Sequence, residues 1–87
     1  MPRFTWSNTF PDNPDAEDKT ASIEGYPRAY IRIFNTAGQN PNGNNWCWSV
    51  AAEAAIATGW EADGRTASTK AIAAWDAYLA RKRRNVT

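Results

Sequence analysis

The fold of this 87-residue chain is constrained most by two segments with alternating side chains. Apolar and polar side chains alternate in the first segment, and large and small side chains alternate in the second. Residues 29–34 (AYIRIF) are rich in β-branched and aromatic side chains and predict a strand. Residues 46–50 (WCWSV) place two tryptophans and a valine on one face of a second strand. Between them, residues 36–45 hold two glycines, a proline and four asparagines, a composition typical of a connecting loop. The pattern therefore predicts an antiparallel sheet.

The next segment, residues 51–58 (AAEAAIAT), is compatible with two structures. Its alanines favour a helix that would stop at Gly59. The alternative is a turn around Glu53 followed by a third strand near residues 55–61, with Ile56 and Trp60 on its core face. We prefer the turn and the strand, because the preceding alternation makes the chain enter this segment in an extended conformation.

The clearest helix is predicted over residues 66–84, with Thr66 or Ser68 as its N-cap. Its final turn is basic, and cations interact favourably with the C-terminal end of a helix dipole. One apolar stripe runs along it at spacings of three and four, formed by Ala71, Ile72, Trp75, Tyr78 and Leu79.

These elements predict one α+β domain, a three-stranded antiparallel sheet with a C-terminal helix on one face, in the order ββ(β)α. Residues 1–22 are predicted as an arm or loop, in which Phe4 and Trp6 form a short edge strand or lie on the domain. Residues 26–62 form the sheet region, and the helix follows. The alternative fold is one strand or hairpin followed by a two-helix hairpin. The predicted core comprises Ile31, Ile33, Trp46, Trp48, Val50, Ile56, Trp60, Ile72, Trp75 and Leu79.

The composition argues against several classes of chemistry. The chain has no histidine and one cysteine, Cys47, so neither a disulfide within the chain nor a Ser-His-Asp or Cys-His catalytic set can form. The acidic residues of segment 12–18 lack the spacing of a calcium loop. We therefore predict a non-enzymatic protein with no catalytic residue, metal or cofactor. No apolar run reaches membrane-spanning length, and we expect a cytoplasmic protein without a membrane partner.

The charges are unevenly distributed along the chain. Residues 1–27 carry two basic and five acidic side chains, a net charge of −3, whereas residues 65–87 carry six basic and one acidic, a net charge of +5. These poles can attract each other within a monomer or head to tail in a homo-oligomer. The basic helix end can also bind phosphates, although a solvated helix end is the simpler interpretation.

A row of three side chains, Tyr30, Arg32 and Phe34, is predicted on the sheet face opposite the core. Two aromatic rings around a guanidinium can stack on single-stranded nucleic acid or anchor a protein partner. Alternatively the N-terminal arm covers the row through Phe4, Trp6 or Phe10. The candidate binding residues are Arg28, Tyr30, Arg32, Phe34, Arg81, Lys82, Arg83 and Arg84.

The features together predict a small protein-binding accessory or regulatory module that occupies a surface of a larger protein partner. The small size and the sixteen alanines suggest a bacterial or phage protein. The alternative is a nucleic-acid-binding domain that uses the aromatic and arginine sheet face together with the basic helix end.

Overall fold

The structure, a computed structural model, describes residues 4–13, 15–36 and 43–84, with the backbone alone for Arg83 and Arg84. Each strand of its sheet pairs antiparallel with the next in the chain, in the spatial order β1-β2-β3-β4-β5. The sheet is followed by a single C-terminal helix in this part of the chain. The elements are β1 (Phe4–Asn8), β2 (Asp18–Ile23), β3 (Tyr26–Asn35), β4 (Trp46–Ala52), β5 (Ala54–Glu61) and α1 (Gly64–Arg84).

The predicted three-stranded sheet is wrong, because the sheet has five strands, and the alternative with a two-helix hairpin is wrong as well. The two additional strands, β1 and β2, lie in the segment predicted as an arm or loop. Strand β1 confirms the short edge strand that is one of the two interpretations of Phe4 and Trp6. Strand β2 has the sequence DKTASI, in which Ile23 is the one large apolar side chain. Ala21 and Ile23 are nevertheless buried and Ser22 between them is exposed, as in a half-buried strand.

The ambiguous segment after Val50 forms a hairpin. Strand β4 ends at Ala52, Glu53 occupies the turn with a φ of 64°, and β5 begins at Ala54. The predicted turn around Glu53 and the third strand of the sheet region are therefore confirmed. The register shifts by one residue near the turn, between Val50 and Ala51, and such a bulge increases the local twist of the hairpin.

The core lies between α1 and one face of the sheet. On this face Ile31 pairs with Val50, and Ile33 pairs with Trp48. The helix contacts β3, β4 and β5, and Trp75 at its centre is fully buried. The apolar helix stripe is thus placed as predicted. The buried hydrophobic residues are Ala21, Ile23, Ala29, Ile31, Ile33, Cys47, Trp48, Val50, Ala67, Ala71, Trp75 and Leu79.

The prediction that Trp60 belongs to this core is wrong. The register of β4 and β5 pairs Trp48 with Gly59 and Cys47 with Trp60. A Cβ atom on Gly59 would lie 2.6 Å from Nε1 of Trp48, so the large indole of β4 requires a glycine opposite it. Successive side chains of a strand point to opposite faces, and Trp60 therefore lies on the face away from the helix.

The helix begins two residues before the predicted start. Oδ1 of Asp63 accepts a hydrogen bond of 2.7 Å from the backbone N–H of Thr66, so Asp63 is the N-cap, rather than Thr66 or Ser68. Hydrogen bonds from Thr66 lower the pKa of the Asp63 carboxyl. Among the described residues, no helix has the length and hydropathy needed to cross a membrane.

Candidate functional site

The sheet face opposite α1, here called the open face, carries three rows of side chains that cross the strands. The row nearest the β4–β5 turn contains Thr5, Ser22, Tyr30, Ala51 and Ala55. The middle row contains Ser7, Thr20, Arg32, Ser49 and Thr58. The third row contains Asp18, Phe34, Cys47 and Trp60.

Two large aromatic side chains are exposed on the open face. Tyr30 is 44% exposed and Trp60 is 46% exposed. Tyr30 and Trp60 lie two strands apart across the sheet, and their rows are four residues apart along a strand. At standard strand spacings, their backbones are therefore about 16 Å apart. A single planar ring cannot be sandwiched between side chains at that separation. The two aromatics therefore suit a broad contact surface with two anchor points.

The centre of the open face is an ion pair between Arg32 and Asp18. Nε of Arg32 donates to Oδ1 of Asp18 at 3.0 Å, and Nη2 donates to Oδ2 at 2.5 Å. Asp18 is buried, at 7% exposure, and the hydrogen bonds from Arg32 lower its pKa even though burial acts in the opposite direction. The Arg32 guanidinium also lies 4.4 Å from the centre of the Phe34 ring. This bidentate pairing neutralises and orients the guanidinium.

Arg28 lies at the end of β3, close to the β4–β5 turn. Its Nη1 donates a hydrogen bond of 3.1 Å to Oε1 of Glu53, and both side chains are largely exposed. A shallow depression beside Tyr30 is lined by these two residues and by small side chains of the hairpin. The depression can receive a side chain of a partner next to the Tyr30 ring.

The basic helix end is on the other side of the sheet. Arg81 and Lys82 are exposed on α1, and Lys82 lines a cavity together with Arg28 at the end of the sheet. The side chains of Arg83 and Arg84 lie outside the described part of the structure. The structure thus brings Tyr30, Arg32 and Phe34 together as predicted, but the described basic residues of the helix do not join that row.

The N-terminal segment does not cover the predicted row through Phe4 or Trp6. These side chains lie in register with Ile23 and Ala21, which places them on the face of the sheet that carries the helix. Phe10 is 51% exposed in the connection between β1 and β2. The hypothesis that aromatic residues of the arm bury the open face is therefore wrong for Phe4 and Trp6, and for Phe10 it stays a prediction.

Sequence reasoning misses two residues of the open face, Asp18 and Trp60. The acidic composition around Asp18 suggests a solvated arm, although the last four residues of DKTASI alternate between polar and apolar side chains as in a strand. The size of Trp60 suggests a place in the core. The glycine that precedes it is the contrary signal, because a glycine within a strand often marks a close approach of another group.

The open face shows no arrangement for metal chemistry. Within the part of the chain that the structure describes, no group of three or more cysteine, aspartate or glutamate side chains could hold a metal ion. Cys47 is buried in the third row, where its cross-strand neighbours are Phe34 and Trp60. No protein-family model, curated protein or solved structure matches the chain, so its function is inferred from the geometry of these residues.

Proposed function

We propose that this chain is a small non-enzymatic module that binds a protein partner through the open face and acts by occupying a surface of that partner. The observation that supports this most directly is the exposure of Tyr30 and Trp60 on either side of a guanidinium that Asp18 already neutralises. Tyrosine, tryptophan and arginine are enriched among the residues that dominate protein interfaces.

The electrostatics of the open face favour a protein over a nucleic acid as the partner. Arg32 is paired with Asp18, and Arg28 is paired with Glu53. A phosphate would have to compete with a carboxylate for each of these cations, whereas nucleic-acid binding depends on cations that replace the counterions of phosphates. A nearly neutral surface with aromatic anchors and serine and threonine hydroxyls instead resembles the composition of protein-recognition surfaces.

The proposal is tested by replacing Ser22, which is exposed beside Tyr30 on the open face, with a photo-crosslinking amino acid in cells that express the chain. The crosslinked partner is then purified, and its affinity is measured by calorimetry for the unmodified chain and for the variants Tyr30→Ala and Trp60→Ala. Each variant should weaken binding about tenfold or more, the usual effect of truncating an aromatic anchor. Trp6→Ala is the matched control, because Trp6 is 37% exposed but lies in register with Ala21 on the opposite face of the sheet, and the affinity of this variant should stay within about twofold.

The same variants decide between the two classes of partner. Fluorescence anisotropy with labelled single-stranded and duplex DNA and RNA should show only weak binding, with Kd no tighter than about 10⁻⁴ to 10⁻⁶ M. Tighter, salt-sensitive binding that Tyr30→Ala weakens would favour the nucleic-acid function. A protein partner whose affinity falls as much with Trp6→Ala as with Trp60→Ala would contradict the assignment of the interface to the open face.

A further inference from the structure

A cavity of about 250 Å³ lies at the end of the sheet, between the C-terminal half of α1 and the β2–β3 and β4–β5 turns. It contains no residue of the three rows of the open face, although Arg28 and Glu53 also line the depression beside Tyr30. Its walls combine aromatic rings, small apolar side chains and three charged groups. The residues that line it are Gly25, Tyr26, Pro27, Arg28, Ala29, Ala52, Glu53, Trp75, Tyr78 and Lys82.

Three aromatic rings form one side of the cavity. The Tyr26 and Trp75 rings meet edge to face with their centres 5.0 Å apart, and Tyr78 stacks on Trp75 at 5.4 Å. Trp75 is fully buried beneath them, and its Nε1 has no hydrogen-bond partner among the described residues. Aromatic pairs prefer such edge-to-face and offset geometries, so a further ring that enters the cavity can pack in the same way against the two tyrosines.

Two cations and one carboxylate line the same cavity. Nζ of Lys82 lies 5.8 Å from the centre of the Tyr78 ring, and Arg28 is held 3.1 Å from Glu53. Glu53 balances one of the two cations and leaves the lining of the cavity with a net positive charge. An anionic group is therefore favoured there, and Lys82 is the cation that the carboxylate of the lining does not neutralise.

We propose that this cavity binds a small aromatic carboxylate. Its ring would pack against Tyr26 and Tyr78, and its carboxylate would face Lys82 and Arg28. Ligand sites are typically concave and largely apolar, with a few polar groups that fix the orientation of the ligand. The volume of about 250 Å³ is below the usual range for drug-sized ligands, about 300 to 1,000 Å³, and so restricts the ligand to one ring with a short acidic substituent.

Phenylacetate is a suitable probe, and its neutral analogue phenylacetamide has nearly the same shape. Titration of the full chain, followed by ¹H–¹⁵N NMR, should give saturable shifts of the Trp75 indole N–H and of the amides of Gly25, Ala29 and Glu53. Phenylacetamide should bind several-fold more weakly, because it lacks the charge that Lys82 attracts. Equal affinity for the two compounds would overturn the assignment of an anion site.

Charge variants give effects of opposite sign. Lys82→Gln should weaken phenylacetate binding about two- to fivefold, the effect of losing one exposed ion pair. Glu53→Gln should strengthen it by a similar factor, because the substitution removes a repulsive carboxylate and releases Arg28. Arg81→Gln is the control, since Arg81 is exposed on the same helix but does not line the cavity, and it should leave the affinity unchanged.

Two further results would refute the proposal. One is the absence of any saturable shift at about 10 mM phenylacetate, well above the roughly 1 mM Kd of a weak site. The other is an equal loss of affinity with Arg81→Gln and Lys82→Gln, which would indicate a general charge effect. Neither result bears on Tyr30 or Trp60, which do not line the cavity, so the failure of this site and the failure of the protein-binding function are distinguishable.

Discussion

At the scale of single residues, the contact between Gly59 and Trp48 determines which side chains reach the open face. The indole of Trp48 is buried, and its Nε1 donates a hydrogen bond of 3.2 Å to Oε2 of Glu61. A ring held in this way cannot easily move away from a Cβ atom that would lie 2.6 Å from it. The same register places Trp60 on the opposite face. Gly59 thus leaves room for the buried ring of Trp48, and its neighbour Trp60 is exposed on the open face.

The substitution Gly59→Ala should therefore destabilise the protein. Overpacking of this kind typically costs about 1 to 3 kcal/mol, and the lower entropy of the unfolded alanine chain offsets about 0.4 to 1 kcal/mol of that. Urea unfolding measures the difference. In a Trp48→Phe background, which lacks the clashing indole atoms, Gly59→Ala should cost distinctly less. An equal cost in both backgrounds would show that the indole is not the cause.

The ion pair between Asp18 and Arg32 is a second feature of residue scale, and it makes stability depend on pH. The pKa of Asp18 is lowered in the folded protein, relative to about 3.9 in an unfolded chain. A depressed pKa means that the carboxylate contributes stability above the unfolded pKa. This contribution is lost as the pH falls through the lower pKa of the folded state.

Asp18→Asn should accordingly reduce the free energy of unfolding at neutral pH by about 1 to 2 kcal/mol, the lower part of the range for a hydrogen bond to a charged group, because Arg32 is partly exposed. Urea unfolding at about pH 7 and about pH 2 tests the sign, since the difference between variant and parent should shrink at the acidic value. Asp12→Asn, at an exposed carboxylate in the β1–β2 connection, is the control. A loss that is the same at both pH values would exclude the charge as its origin.

At the scale of elements, the sequence predicts strands well where the side chains are large and poorly where they are small. The β-branched and aromatic residues of β3 and the alternating tryptophans of β4 are sufficient to identify those two strands. Strand β2 has mostly polar and small side chains, and its stability comes from pairing on both edges, with β1 and with β3. Such tertiary pairing has little local signature, which is why the composition of β2 predicts an arm instead. The alternation of Phe4 and Trp6 with polar neighbours does indicate an edge strand as one interpretation of β1.

Hydrogen exchange distinguishes a central strand from an arm at β2. Because β2 is paired on both edges, amide protons along residues 18–23 should exchange slowly, close to the rate of β3 in the middle of the sheet. Amides of residues 11–13, in the exposed connection between β1 and β2, should exchange fast under the same conditions. The exchange is measured by ¹H–¹⁵N NMR in D₂O. Equally fast exchange in both segments would show that β2 is not a stably paired strand and would favour the predicted arm.

At the scale of the whole molecule, the division into a covered face and an open face is predictable in part. Alternation alone places Tyr30, Arg32 and Phe34 on the face opposite Ile31 and Ile33, and the structure has the same arrangement. The partners of these side chains are not predictable. Asp18 precedes Arg32 by fourteen residues, and Trp60 reaches the same face through two strand pairings, so both depend on registers that are set by packing across the sheet.

The tryptophans provide a test of this division, because Trp75 lies in the core and Trp60 on the open face. Trp75→Ala should lower the free energy of unfolding by about 3 to 5 kcal/mol, the usual cost of removing a buried large aromatic side chain. The free energy of unfolding of a typical domain is about 5 to 15 kcal/mol, so this variant should be close to unfolding. Trp60→Ala removes the same atoms from a side chain that is 46% exposed and should cost clearly less.

Trp75→Phe refines the test, because it keeps a ring in the core and removes the buried indole N–H that has no partner among the described residues. An unsatisfied buried donor costs about 1 to 3 kcal/mol of stability. Removing this donor therefore offsets part of the free-energy cost of the cavity that the smaller ring leaves. Thermal and urea unfolding should therefore rank Trp75→Phe well above Trp75→Ala in stability. If Trp60→Ala instead proved as damaging as Trp75→Ala, the open face would be part of a core, and its two exposed aromatics would not be available to a partner.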